Sequence, residues 1–271
     1  MPSIKPQMEP MPQVTIAGRP RTHLVLALAS LVGLAMFCWP LLVEVGPEAS
    51  GHVTDAPLAF VLLLPVVLAV VLAEMADEGI DSRALAMLGV LAAIDAALRP
   101  LGAGVGGIEL VFFLLVLGGR VFGPGFGFAL GCLSMLASAL LTAGVGPWLP
   151  FQMMAAAWVG LGAGLLPRRF RGRPEIAMLA LYGALAALAY GALLNMWFWP
   201  YAIGTDTALS YVAGDPLGDN LQRFAAFTFV TSTLGWDLGR AITTVLGVAL
   251  LGPAVLAVLR RAARRASFAP R

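Results

Sequence analysis

Between Arg120 and Arg168 the chain runs for 47 residues, Val121 to Pro167, without one charged side chain. A helix that crosses a bilayer needs only about 20 apolar residues, so the run predicts two helices. Their break is the turn-forming stretch Gly144-Val145-Gly146-Pro147-Trp148-Leu149-Pro150. The run ends in a dense basic loop, Arg168, Arg169, Arg171 and Arg173. The chain is 59% hydrophobic and 12% charged, against about 25% charged in soluble domains. A polytopic, all-α membrane protein follows.

Residues 1–20 are Pro-rich and polar and read as a disordered cytosolic tail. Eight spans are expected after it, at 24–45, 57–74, 84–99, 108–122, 126–143, 150–166, 176–198 and 229–259. The first is longer than a signal-peptide core and reads as a retained helix. Positive-inside counting tests the number of spans. With eight, 14 of the 17 basic residues fall on one face, including the loop at 168–173 and the cluster Arg260, Arg261, Arg264 and Arg265. Seven spans would put one of those groups on the wrong side. Both termini are therefore expected in the cytoplasm. Gly123-Pro124-Gly125 reads as a tight inner turn, and the connection from Trp199 to Arg223 as a long outer loop.

Absences narrow the chemistry. There are two histidines, His23 and His52, and two cysteines, Cys38 and Cys132, so no metal framework and no His-based catalytic centre are expected. Lys5 is the only lysine, and no Gly-x-x-x-x-Gly-Lys phosphate loop exists. Uphill movement of a solute then needs an ion gradient or another subunit.

Charges inside a membrane are costly and are placed for function or pairing. Asp95 and Arg99 are four apart and are expected to pair on one helix face. Glu109 starts the fourth span, and Asp237 and Arg240 are three apart in the last. Each pair is open to two readings, ligand contact or bundle stabilisation. Aromatic residues gather toward the outer side, among them Trp148, Phe151, Trp199 and Trp236. An interfacial belt accounts for many of these. Together with Gln152 and Asn195, they also compose an aromatic pocket with a few polar groups. Finally, Gly89, Ala93 and Ala97 form one small-residue row on the third span, and Ala92 and Ala96 a second. Such rows allow close helix contact in lipid, within the chain or with a separate membrane subunit.

The stretch from Ala84 to Arg168 resembles the substrate-binding S-components of energy-coupling factor (ECF) vitamin transporters. The resemblance lies in Ala96-Ala97-Leu98-Arg99-Pro100, in Phe112 to Gly127 with its Gly118-Gly119-Arg120 centre, and in Gly146-Pro147-Trp148-Leu149-Pro150-Phe151-Gln152-Met153. It implies a six-helix core, residues 81–260, preceded by two additional helices within 21–80 and followed by a basic cytosolic tail, 261–271. It implies a vitamin held near the outer face under the loops Leu101–Gly107, Ala143–Phe151 and Trp199–Arg223. Asp95, Arg99, Glu109, Trp148, Phe151, Gln152, Asn195, Trp199, Trp236, Asp237 and Arg240 are the expected contacts. It implies docking of a transmembrane T-component on Gly89, Ala92, Ala93, Ala96 and Ala97, with a pair of ATPases driving release inside by toppling. The Gly-Pro-Trp turn is closest in style to cobalamin-type S-components. No cofactor, enzymatic activity or nucleic-acid partner is implied, and the setting is a bacterial cell membrane. The competing readings are a polytopic enzyme acting on lipid or isoprenoid substrates and a gradient-driven transporter.

Overall fold

The structure is a computed structural model that describes residues 20–38, 41, 82–102, 106–202, 207–212 and 214–267, with no side-chain description at 20–23, 201–202 and 266–267. Every regular element among them is helical: α1 (Pro20–Phe37), α2 (Ser82–Leu98), α3 (Val111–Phe122), α4 (Pro124–Leu141), α5 (Leu149–Leu165), α6 (Arg173–Ala202), α7 (Leu217–Thr228), α8 (Leu238–Leu250) and α9 (Gly252–Ser267). A short 3₁₀ turn, Arg99–Gly102, follows α2, and a π-helical stretch, Phe229–Asp237, joins α7 to α8. Of the expected tail at 1–20, residues 1–19 lie outside the described residues, as does the expected span at 57–74.

The bundle is built around α3. All its residues but Val121 are buried, which fits its unbroken run of Val, Phe and Leu. At about 1.5 Å per residue, its 12 residues are too short to cross about 30 Å of hydrocarbon. It is a core helix flanked by longer ones. The turn at Gly123 is as tight as expected: α3 ends one residue before it and α4 begins with Pro124 at its first position. Gly123 has φ 100°, a conformation that favours glycine. The two halves of the uncharged run, α4 and α5, then cross almost backbone to backbone. A Cβ on Gly127 would lie 2.3 Å from the Gly160 carbonyl oxygen, and one on Gly160 would lie 2.1 Å from that of Gly127. In lipid, dispersion contact of this kind holds helices together where no hydrophobic driving force exists.

Helix α1 packs on this core. The Trp158 indole donates to Ser30 Oγ at 2.9 Å, and Phe37 is wedged against Phe151 and Trp158. Three described helices or extended helices are long and apolar enough to span, Ser82–Gly102, Pro124–Leu141 and Arg173–Pro200.

The last expected span, 229–259, is corrected. The helix begins at Leu217, runs to Leu250 and there bends by 66° into α9. The break falls at Leu251-Gly252-Pro253, where proline lacks the N–H that the helix ladder needs. Arg260, Arg261, Arg264 and Arg265 therefore sit on a separate amphipathic helix, on which Arg260 shares the inward side with the buried Leu256, Leu259 and Ala263 while the other three arginines are exposed.

Candidate ligand cavity

At the end of α3 that Glu109 precedes, the bundle encloses a cavity of about 250 Å³. Its polar wall is Arg99, Glu109, Gln152 and Arg240; Tyr190, Leu194 and Trp236 are among the rest of its lining. Four segments distant in sequence converge here: the 3₁₀ turn after α2 with residues 107–109 that follow it, the start of α5, the middle of α6, and the π stretch with α8.

Backbone geometry brings them together. Gly107 has φ 73°, and a Cβ there would lie 2.2 Å from the Trp236 carbonyl oxygen. Only glycine lets this loop lie directly on the π stretch, and it sets Glu109 beside Arg240. The Glu109 N–H also donates to Thr243 Oγ1 at 3.4 Å.

Arg240 is held by two carboxylates. Its Nε donates to Glu109 Oε2 at 2.5 Å and its Nη1 to Asp237 Oδ1 at 2.8 Å. Its guanidinium also lies 4.9 Å from the centre of the Tyr190 ring and 5.5 Å from that of Phe112. Asp237 is 1% exposed and takes a second hydrogen bond from Ser232 at 2.9 Å. The space for its carboxylate exists because residue 191 of α6 is glycine: a Cβ there would lie 1.9 Å from Asp237 Oδ1. The expected Asp237–Arg240 pair is thus formed.

The expected Asp95–Arg99 pair is not. Helix α2 ends at Leu98, and Arg99 opens the 3₁₀ turn, which carries its side chain away from the helix face of Asp95. Arg99 Nη2 donates to Gln152 Oε1 at 3.0 Å, and its Nε stands 4.0 Å from Glu109 Oε1. Asp95 turns inward toward α4. It is fully buried, and neither oxygen has a hydrogen-bond partner among the described residues. The Ser134 hydroxyl is close enough to act on it electrostatically, but outside hydrogen-bond geometry.

Arg99, Glu109, Gln152, Trp236 and Arg240 therefore line the cavity. The other expected contacts lie around it. Asp237 is sealed behind Arg240. Trp148 is half exposed on the 144–148 turn, where its indole donates to the Gly144 carbonyl at 3.2 Å. Phe151 is buried and stacks on Trp197, with centroids 4.4 Å apart. Trp199 is fully buried; it donates to the Leu209 carbonyl at 2.8 Å and meets Tyr211 edge-on, pinning the following loop. The Asn195 amide nitrogen is buried without a partner, away from the cavity lining. Tyr190 and Leu194 were not anticipated. Their signal was a tyrosine and a leucine four apart on the otherwise featureless apolar run of α6.

The small-residue rows also part company. Ala92 and Ala96 are buried within the bundle, where α2 packs on α4, whereas Gly89, Ala93 and Ala97 are exposed together with Val90 and Ile94. A Cβ on Gly89 would meet nothing within 4 Å.

The family model for the substrate-specific component of the ECF transporter matches residues 83–259. No curated protein and no solved structure gives a significant match.

Proposed function

This chain belongs to the ECF transporter substrate-specific components, a multi-pass membrane protein and transporter subunit, and from that premise we propose that its cavity captures a vitamin or related micronutrient. The observation that carries the reading is the cavity itself, walled by charged and aromatic groups from four segments, at the opposite end of α3 from the basic loop. By charge asymmetry the cavity opens outward and both termini are cytoplasmic, in a bacterial cell membrane. A T-component docks on the exposed row Gly89/Ala93/Ala97, a pair of ABC ATPases supplies the energy, and toppling of the subunit releases the ligand inside.

Cobalamin is the ligand that the Gly-Pro-Trp turn favours by resemblance. Size bears on it: about 250 Å³ is just under the usual range of small-molecule pockets, about 300–1,000 Å³. A ligand of cobalamin's bulk needs a wider site than this.

Co-purification tests the assembly. Tagged full-length protein drawn from its native membrane should bring a T-component and two ATPases with it. Ala93→Trp should abolish this and leave ligand content unchanged, since the site is exposed and distant from the cavity. Ala93→Trp with normal assembly would remove the docking face from the account.

The gradient-driven reading rests on Asp95, which has no arginine beside it to keep it charged. Vesicles holding this chain alone should show no accumulation above the outside concentration under a proton gradient. Accumulation that collapses with a protonophore and disappears in Asp95→Asn would replace the ECF mechanism.

A further inference from the structure

Two guanidiniums and one carboxylate face the cavity, and they are not equivalently engaged. Arg240 gives hydrogen bonds to Glu109 and Asp237 and lies against two aromatic rings. Glu109 is turned toward it, so little of either charge is available to a guest. Arg99 differs. Among the described residues its one hydrogen-bond partner is the neutral amide oxygen of Gln152, its carboxylate neighbour stands at the 4.0 Å limit of an ion pair, and its side chain is 23% exposed. The other carboxylates nearby, Asp237 and Asp95, are behind the wall, at 1% and 0% exposure. A guanidinium has five donors in a planar fork. With one of them on Gln152, the fork still has donors to offer.

Resting on the proposed capture role, we infer that the ligand is a compact anion whose carboxylate or phosphate group is gripped by Arg99, with its ring or apolar body against Trp236 and Leu194. Ile108, Leu194 and Trp236 offer apolar surface to the body of the ligand, and the contact to Arg99 is charge-assisted. Arg240 and Glu109 form the pre-set, neutralised side of the pocket. They leave room for a hydrogen-bonding edge of the ligand, and Arg240 answers the buried Asp237 as well. Gln152, on the first turn of α5, positions the Arg99 fork.

Simple aromatic probes separate the possibilities: benzoate, phenyl phosphate and the uncharged isostere benzamide, titrated by calorimetry into ligand-depleted full-length protein in detergent. One anion, benzoate for a carboxylate ligand or phenyl phosphate for a phosphate ligand, should bind and benzamide should not. Arg99→Gln should weaken that binding at least about tenfold, the scale of one charge-assisted hydrogen bond, while the unfolding temperature without probe stays unchanged. Arg99→Lys should recover part of it. Equal binding of benzamide, no binding of either anion, or anion binding unaffected in a folded Arg99→Gln protein would each overturn the inference. So would extraction of a neutral or cationic native ligand, such as cobalamin. That last result would leave the capture role standing, whereas absence of the T-component and ATPases on co-purification would strike the role itself.

Discussion

The two ends of α3 each hold a buried cluster of arginine and carboxylate, and they solve different problems. At the Arg120 end, Arg120 Nε donates to Glu175 at 2.7 Å, and its two terminal nitrogens reach the carbonyls of Leu166, Pro167 and Phe170. Glu175 is 1% exposed and also receives Arg260 of α9 at 2.6 Å. The cluster ties α3, the end of α5, the start of α6 and α9 into one knot. All three nitrogens of Arg120 are used inside the chain. At the Glu109 end, Arg240 is held by two carboxylates and lies against two aromatic rings, but Arg99 stands beside it half engaged, facing a cavity. The same residue types make a latch where all valences are met and a binding site where one is left over.

Breaking the latch should have the largest effect. Arg120→Ala strands Glu175 beside one arginine and frees three carbonyls at the end of α5. We predict a loss of about 3–5 kcal/mol of stability, the scale of removing one partner from a buried ion pair, read as a collapse of the unfolding temperature or of membrane expression. Arg120→Lys should rescue little, because a lysine cannot reach four acceptors from one planar head. If Arg120→Ala is as stable as Arg99→Gln, the two ends are alike and the contrast fails.

A smaller effect sharpens the other side. Trp236 lines the cavity and Trp148 does not, although both are half exposed. Trp236→Ala should weaken ligand binding by about 1–3 kcal/mol, the scale of a lost aromatic contact. Trp148→Ala should change it by less than about 0.5 kcal/mol, as for an ordinary surface substitution. Calorimetry on both variants decides. The reverse order would move the site to the 144–148 turn, within one of the three loops under which the resemblance places the ligand.

The smallest change expected is at Asp95. Its carboxyl is buried with neither oxygen bonded, so the uncharged isostere in Asp95→Asn should leave stability unchanged or raise it by about 1 kcal/mol. Its ligand affinity should match wild type. A marked loss of either would mean that Asp95 belongs to the cavity cluster after all.

How much of this could be read from sequence follows from which signals are local. The uncharged run, the Gly123-Pro124 turn and the helical class are set by composition and backbone chemistry within a few residues, and they appear as expected. The charged members of the cavity were legible because charge in an apolar span is conspicuous wherever it sits. Their pairing was not. Spacing of four implied an Asp95–Arg99 pair on an ideal helix, but α2 ends between them. Glu109 and Arg240, 131 positions apart, meet only through the packing of the Gly107 turn on the π stretch. Tyr190 and Leu194 escaped because an apolar side chain on an apolar helix looks the same whether it faces lipid, core or cavity. The bend after Leu250 was written in Gly252-Pro253, yet a continuous hydropathy run masks a change of direction.

The central claim, that the Arg99 end captures a small molecule and the Arg120 end only holds the fold, is most directly tested by native mass spectrometry of full-length protein gently released from its host membrane. Wild type should carry one small-molecule adduct, and Arg99→Gln should lose it while keeping the wild-type unfolding temperature. Wild type without an adduct, or an adduct equally occupied in folded Arg99→Gln protein, would contradict the account.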